Sequence, residues 1–379
     1  MVNSNVNALG IIFPNSYDNL IPELAGDRLM ASIPFAGRYR IIDFLLSSMA
    51  NCGISDIAIV VRENYHSLMD HLGSGREWDL LRKNGGLSIF PPYAEKNMKV
   101  YSDRVQALES ILPFLKSKKE KYVIMTDANI AVDFDFGAML QEHIESGADV
   151  SIAYTEQEIP EELISAGVHE DMYYTLCLED GRVRRIFMNS EESGIQNLSM
   201  NIYIMEREAL IEKIHGAFVR GYSYFERDIL APRLEKYNIR GYKYDGYYAR
   251  ICGLKSYFDE NMKLLDDENL DALFTGGQIY TKIRDDNPTR YINGSRANNI
   301  MAADGCVIEG EAENSILFRG VKIAKGARVK NCVLMQDTVI EEGADLEYVI
   351  TDKNVTVTAD KELKGSDTFP VYIAKSRTV

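Results

Sequence analysis

The chain has 379 residues, 46% hydrophobic and 26% charged, which fits a water-soluble globular protein and is too long for one ordinary core. Its formal net charge of -15 would repel a phosphate backbone, which excludes nucleic acid as a natural partner, although a local basic site for small phosphorylated molecules stays open. Cys52, Cys177, Cys252, Cys306 and Cys332 form no CxxC pair, so there is no zinc motif, and they read as small buried hydrophobes. No run approaches the roughly 18 apolar residues of a membrane span, and the opening MVNSNVNALGIIF carries no basic region, so the chain reads as cytoplasmic.

Short apolar runs alternate with helical patterns over the first part of the chain. Ala8–Phe13 reads as a buried strand and Arg40–Ala50 as a helix with Ile41, Ile42, Phe44, Leu45 and Met49 inward. Asp56–Val61 is the next strand, Ser67–Leu72 begins the next helix, and Val105–Lys116 is largely helical. Tyr122–Thr126 and Ala148–Tyr154 are strands on either side of a helix at Phe136–Ser146. This alternation predicts βαβ units and a mostly parallel sheet with ligands at the carboxyl ends of its strands. Leu254–Asp271 reads as a helix leaving the domain, and the polar stretch Arg284–Arg290 as a linker.

The texture then changes. Ile323-x-x-Gly326-Ala327-x-Val329 recurs as Ile340-x-x-Gly343-Ala344-x-Leu346, and apolar residues return every six positions at Val321, Ala327, Val333 and Val339. Such a repeat predicts the three-sided coils of a parallel β-helix, with small residues inside and Gly at the corners. The apolar coil edges require cover from the first domain or from another subunit. The expected organisation is residues 1–253, a helix and linker over 254–290, and a β-helix over 291–379.

Several motifs carry a family likeness. Ile33 to Phe44, IPFAGRYRIIDF, resembles the VPFGGKYRIIDF segment of bacterial ADP-glucose pyrophosphorylases, the glucose-1-phosphate adenylyltransferases. Trp78-Asp79-Leu80, Arg82-Lys83-Asn84-Gly85-Gly86 and Pro91-Pro92-Tyr93 resemble the WDL, RRNGG and PPY elements of that family. Ser199–Ile204 is similar to its SMGIYIF strand, and Gly246-Tyr247-Tyr248 to the opening of GYWxDVGT. The resemblance runs almost end to end. It implies a Rossmann-like, GT-A-like nucleotidyltransferase domain followed by a left-handed parallel β-helix. The implied chemistry joins ATP and glucose 1-phosphate into ADP-glucose and pyrophosphate, the glucosyl donor for glycogen.

The residues that this chemistry needs are absent. The family's GGxGxRL loop lets backbone N–H groups approach phosphates. Here the loop reads Asn15-Ser16-Tyr17-Asp18-Asn19-Leu20, with no glycine, an added carboxylate, and Leu20 at the Arg position. Met30 replaces the Lys of the family's RAKP element, although Arg28 remains. Val60-Val61-Arg62-Glu63 stands where catalytic members have a Gln-containing element, and Asp103-Arg104-Val105 replaces a GTA turn, which reads as added bulk. Mg²⁺ wants hard anionic oxygens. Alignment puts Ala128 or Asn129 at the first metal carboxylate and Arg250 at the second. Asp127 lies just upstream and is the carboxylate that a rebuilt loop could bring to the metal. Asn189 replaces the Lys of the sugar-phosphate element FxEKP.

The expectation is a chain of the regulatory, GlgD-type branch of this family, inactive or nearly so by itself, binding no metal or cofactor. The Mg²⁺ would be used by a catalytic glucose-1-phosphate adenylyltransferase subunit, with which this chain would form a hetero-tetramer, or it would self-associate when alone. Arg38, Tyr39 and Arg40 match the family's KYR, a region associated there with effectors, and form a candidate sugar-phosphate effector site; packing at a helix start is the plainer reading. Two rivals are an active sugar-phosphate nucleotidyltransferase with a rebuilt site and a stand-alone sugar-phosphate sensor. An acyltransferase β-helix would need a His in its coils, and none follows His215. His66, His71, His143, His169 and His215 read as structural or surface residues, Trp78 as a packing anchor, and the acidic run Glu156–Glu162 as a solvated face.

Overall fold

The computed structural model describes residues 6–83, 85–92, 103–166 and 173–379. Asn84, Tyr93 and His169, cited above, lie outside the described residues.

Among the described residues, thirteen strands belong to the first part of the chain. They are β1 (Ala8–Phe13), β2 (Pro34–Phe35), β3 (Tyr39–Arg40), β4 (Asp56–Val60), β5 (Gly86–Phe90), β6 (Tyr122–Asp127) and β7 (Ile130–Val132), followed by β8 (Val150–Glu158), β9 (Tyr174–Glu179), β10 (Arg182–Met188), β11 (Ile195–Glu206), β12 (Ile239–Lys243) and β13 (Tyr248–Arg250). Nine of them make one sheet in the order β5-β4-β1-β6-β11-β8-β12-β10-β9. β1 lies parallel to β4 and β6 and is buried along its whole length, as a strand covered by helices on both faces must be. The helix Ile41–Asn51 starts where the Asp43 carboxylate accepts the Arg40 N–H at 2.9 Å. Carboxyl ends of β1 and β6 come side by side, Phe13 opposite Asp127, and the loop at 14–20 leaves from that edge.

Two predicted helices are divided. Val105–Lys116 is two helices, Arg104–Ser110 and Leu112–Ser117, because Pro113 cannot donate the N–H that would continue the first. Leu254–Asp271 is also two, Leu254–Lys263 and Asp267–Phe274, since the Asp266 side chain caps the second by accepting the Glu268 N–H at 2.9 Å. The acidic run is not merely solvated. Glu162 accepts the Lys255 N–H at 3.1 Å and the Ser256 N–H at 3.2 Å, capping the helix that follows Gly253.

The carboxyl-terminal part is a parallel β-helix. One face stacks Arg290–Tyr291, Val307–Ile308, Lys322–Ile323, Val339–Ile340 and Thr356–Val357. Successive coils pair Lys322 with Val339 and Val339 with Thr356, a step of 17 residues from 322 to 339 to 356, one short of three six-residue sides. Gly326 and Gly343 take corner positions at φ 76° and 73°, where a Cβ would be strained. Inside the coil Ile323, Ala327, Val329, Ile340, Ala344 and Leu346 are buried.

The first domain supplies the cover that the coil edges need. Ile316, Phe318, Val333, Met335 and Ile350 pack in one cluster with Phe35, Tyr257 and Phe258. Tyr257 donates to the Pro34 carbonyl at 2.7 Å, and the buried Arg28 guanidinium pairs with Asp352 at 2.5 Å. Among the described residues no helix is long and apolar enough to cross a membrane.

Candidate functional site

The loop after β1 is closed on itself. Asn15 donates to Asp18 at 2.9 Å and accepts the Arg62 N–H at 2.6 Å, while the other Asp18 oxygen accepts the Met30 N–H at 2.6 Å. Tyr17 sits at φ 69° with its ring buried, and its hydroxyl accepts from Asn201 at 2.5 Å. The Asp18 and Leu20 N–H groups turn back to the Asn15 and Tyr17 carbonyls. Backbone donors that a glycine-rich loop would aim at phosphate are here spent on the loop itself, and Leu20 packs into apolar clusters.

Asp127 is fully buried and already partnered. Ser16 donates to it at 2.8 Å, and one Arg104 nitrogen reaches both carboxylate oxygens at 2.7 Å. The other Arg104 nitrogen meets Glu226 at 2.5 Å, and Glu226 also accepts from Tyr203 at 2.7 Å. Burial opposes the Arg104 charge, but the two carboxylates outweigh it and hold the guanidinium charged far above neutrality. Arg104 is therefore more than the added bulk expected from sequence. It is the internal cation of a carboxylate pair. Neither Arg104 in this role nor Glu226 was legible in the chain, because their partnership spans 122 residues. The available signal was a basic residue in place of a small turn, near an acid left without its metal.

The remaining degenerate positions fall nearby. Ala128 and Asn129 are buried between β6 and β7. Asn129 holds the Ile251 N–H through its carbonyl, and β13 pairs with β7 to set Arg250 opposite Ile130. Arg250 is 6% exposed, donates to the Ser199 carbonyl at 2.5 Å and lies over the Tyr248 ring at 5.7 Å. Met30 is buried. Asn189, at φ 48°, accepts the Tyr173 N–H at 3.1 Å and serves as a turn rather than as a cation. A divalent cation does not fit this donor set: Asp127 is neutralised by Arg104, and Arg250 adds a second buried cation.

The Arg38–Arg40 segment opens a second region. A cleft of about 330 Å³ lies between the 34–40 turn, the helix His66–Leu72, the 282–284 segment and the β-helix. Arg38, Arg40, Lys282, Arg284, Arg319 and Lys353 line it, with Asp70 as the acidic counterweight. Arg40 donates to the Ser67 carbonyl and hydroxyl at 2.7 and 2.9 Å, so it does support the neighbouring helix, yet no carboxylate pairs with its guanidinium among the described residues. Burial lowers its pKa to about 10, against the opposing pull of Asp43. Arg38 is 43% exposed and only loosely placed against Asp304, at 3.9 Å. Tyr39 packs on Phe44 and Phe274. His71, on the cleft wall, pairs with the fully buried Asp43 at 2.6 Å and sets its ring edge-on to Trp78. Tertiary folding thus adds four cations, distant in sequence, to the pair that the motif singled out.

A nucleotidyl transferase family matches residues 24–266, and a GlmU-like C-terminal hexapeptide family matches residues 283–368. The chain is 34% identical over 373 residues to the glycogen biosynthesis protein GlgD of Bacillus subtilis (strain 168), covering 98% of this chain and 96% of that one. The chain belongs to the glucose-1-phosphate adenylyltransferase family, in its GlgD-type branch. The GlgD of Geobacillus stearothermophilus is 35% identical over 331 residues, 86% of this chain and 83% of that one. The glucose-1-phosphate adenylyltransferase of Bacillus mycoides (strain KBAB4) is 31% identical over 334 residues, 86% of each chain. Family membership makes the fold a nucleotidyltransferase domain with a left-handed hexapeptide β-helix.

Proposed function

We propose that this chain is a non-catalytic or nearly inactive regulatory subunit of glucose-1-phosphate adenylyltransferase in glycogen biosynthesis. It assembles with a catalytic paralogue, as a hetero-tetramer, and modulates the synthesis of ADP-glucose and pyrophosphate from ATP and glucose 1-phosphate. The observation that carries this reading is the Arg104–Asp127–Glu226 cluster, in which the chain's own guanidinium occupies the carboxylate nearest the metal position. Removing one electrostatic contact to a developing charge costs on the order of 10²–10³ in rate. Loop, metal carboxylates and substrate Lys depart together, which leaves a scaffold without the charge that phosphoryl transfer requires. Mg²⁺ binding and turnover then belong to the paralogue.

The cleft around Arg38 and Arg40 supplies the regulatory side of the proposal, as a site for a small phosphorylated effector. Its walls come from both domains, so a ligand there bears on their arrangement. Regulation requires only that the chain, or its effector, bind active and inactive states of the partner unequally.

ADP-glucose synthesis is assayed for this chain alone, for the catalytic paralogue alone, and for the mixture, with and without sugar phosphates. Background rate alone and an altered rate or effector curve in the mixture are expected. An unchanged curve in the mixture overturns the partner role, and Mg²⁺-dependent turnover by the isolated chain overturns the loss of activity.

A further inference from the structure

Lys353 differs from the other cations of the cleft. Its nearest acid in sequence, Asp352, is fully committed: one oxygen accepts from Arg28 at 2.5 Å and from Tyr372 at 3.4 Å, the other from the Lys353 backbone N–H at 2.7 Å. Among the described residues no carboxylate contacts the Lys353 ammonium. Arg40, Arg28 and Lys375 act on it as like charges, and Asp352 as the opposing one. Arg38, Lys282, Arg284 and Arg319 share the same cleft. Among the described residues Asp70 is the one carboxylate on its walls, bound to Lys282 at 3.0 Å; beside the lining, Asp286 pairs with Arg284 at 3.2 Å and lies 3.9 Å from Arg319, and Asp304 lies 3.9 Å from Arg38. His71 is spent on Asp43.

A half-buried ammonium among like charges is costly to keep protonated. Burial first, then Arg40 and Arg28, lower Lys353 from its ordinary 10.5 to about 7. A doubly negative group placed among these cations reverses the balance by supplying the missing counter-charge.

We propose that anion binding in this cleft is coupled to the uptake of one proton by Lys353. The inference rests on the cleft being an anion site, and it adds how that site is tuned. The amine is uncharged in the anion-free protein above neutrality and becomes the ammonium when a phosphate-class dianion enters, the proton coming from solvent. Affinity then declines as pH rises, approaching tenfold per unit above about pH 7, where the anion-free lysine has lost its proton. Below that pH the lysine is already charged and the slope flattens. His71, held below its ordinary 6.5 by burial, is neutral throughout the upper range and does not contribute.

Sulfate is the probe, because its charge is constant from acid to alkaline pH. Calorimetric titrations of the full chain at about pH 8 in Tris and in HEPES, buffers of very different ionisation enthalpy, count the protons taken up. Close to one proton per sulfate is expected for the unaltered chain. Lys353→Arg, always charged, should bind sulfate with no uptake and a flat pH profile, and Lys353→Met should bind more weakly, also without uptake. His71→Gln should retain the uptake. Sulfate binding with equal heats in both buffers, or uptake that persists in Lys353→Arg, overturns the proton coupling and leaves the anion site standing. No sulfate binding at all overturns the anion site and the coupling with it.

Discussion

The buried cluster at the carboxyl ends of β1 and β6 and the interdomain cleft both hold arginine, yet their arginines differ in what they face. Arg104 is enclosed by Asp127 and Glu226, whose side chains are 0% and 4% exposed, so its charge is cancelled within the protein. Arg40 and Lys353 have no carboxylate in contact with their charged ends among the described residues, and Asp43 and Asp70, the acids that act on Arg40, are bound to His71 and Lys282. A basic residue in a family's active-site position can thus be scaffold, while basic residues that begin as helix-start packing can be left short of counter-charge. Counting arginines does not separate the two regions; counting their buried partners does.

That contrast can be broken experimentally. The largest effect is expected from Arg104→Met, which strands two buried carboxylates and should cost about 3–5 kcal/mol in urea unfolding. Arg38→Met, at a 43% exposed side chain, should change stability by no more than about 0.5 kcal/mol. Equal losses at the two positions would erase the distinction. Next in size is ligand affinity. Arg40→Met should weaken sulfate binding roughly tenfold, the loss of one charge-assisted hydrogen bond, as read by calorimetry. Thermal shift by sulfate that survives this change intact would locate the anion elsewhere.

A smaller effect concerns pH. Burial lowers both His71 and His143 below their ordinary 6.5, so the folded chain binds fewer protons than the unfolded one as acid is added. The stability they contribute is present above about pH 6.5 and is lost as pH falls through the depressed values. Urea midpoints compared at about pH 7.5 and 5.5 should drop at the acid end, and His71→Gln should reduce the drop. The smallest effect is none at all: Arg250→Asp should leave ADP-glucose synthesis at background. Asp127 stays held by Arg104, and the loop at 15–20 still spends its own donors. Measurable turnover in that variant would mean that one carboxylate was all the site lacked.

The fold was largely legible because it is written in local repetition. Ala8–Phe13 and Tyr122–Thr126 announce buried strands by continuous apolar runs, and the Gly326-Ala327 and Gly343-Ala344 pairs announce the coils. Helix breaks were harder. Pro113 was visible, but the cap at Asp266 depends on which way one side chain turns. The proposed replacements at Ala128, Asn129, Met30 and Asn189 rest on the resemblance alone, since each concerns the side chain at one position.

The sequence by itself determined the two-part architecture and the family, because apolar period, glycine placement and side-chain type act over a few residues. Only the tertiary structure decided which charges are satisfied. Arg104 meets Asp127 and Glu226, and Arg28 meets Asp352 across 324 residues, while Lys353 and Arg40 share one cleft with no carboxylate in contact with either charged end among the described residues. Coulomb energy depends on distance and burial, and both are set by tertiary packing, within the first domain for Arg104 and between it and the β-helix for Arg28 and Lys353, rather than by any stretch of chain.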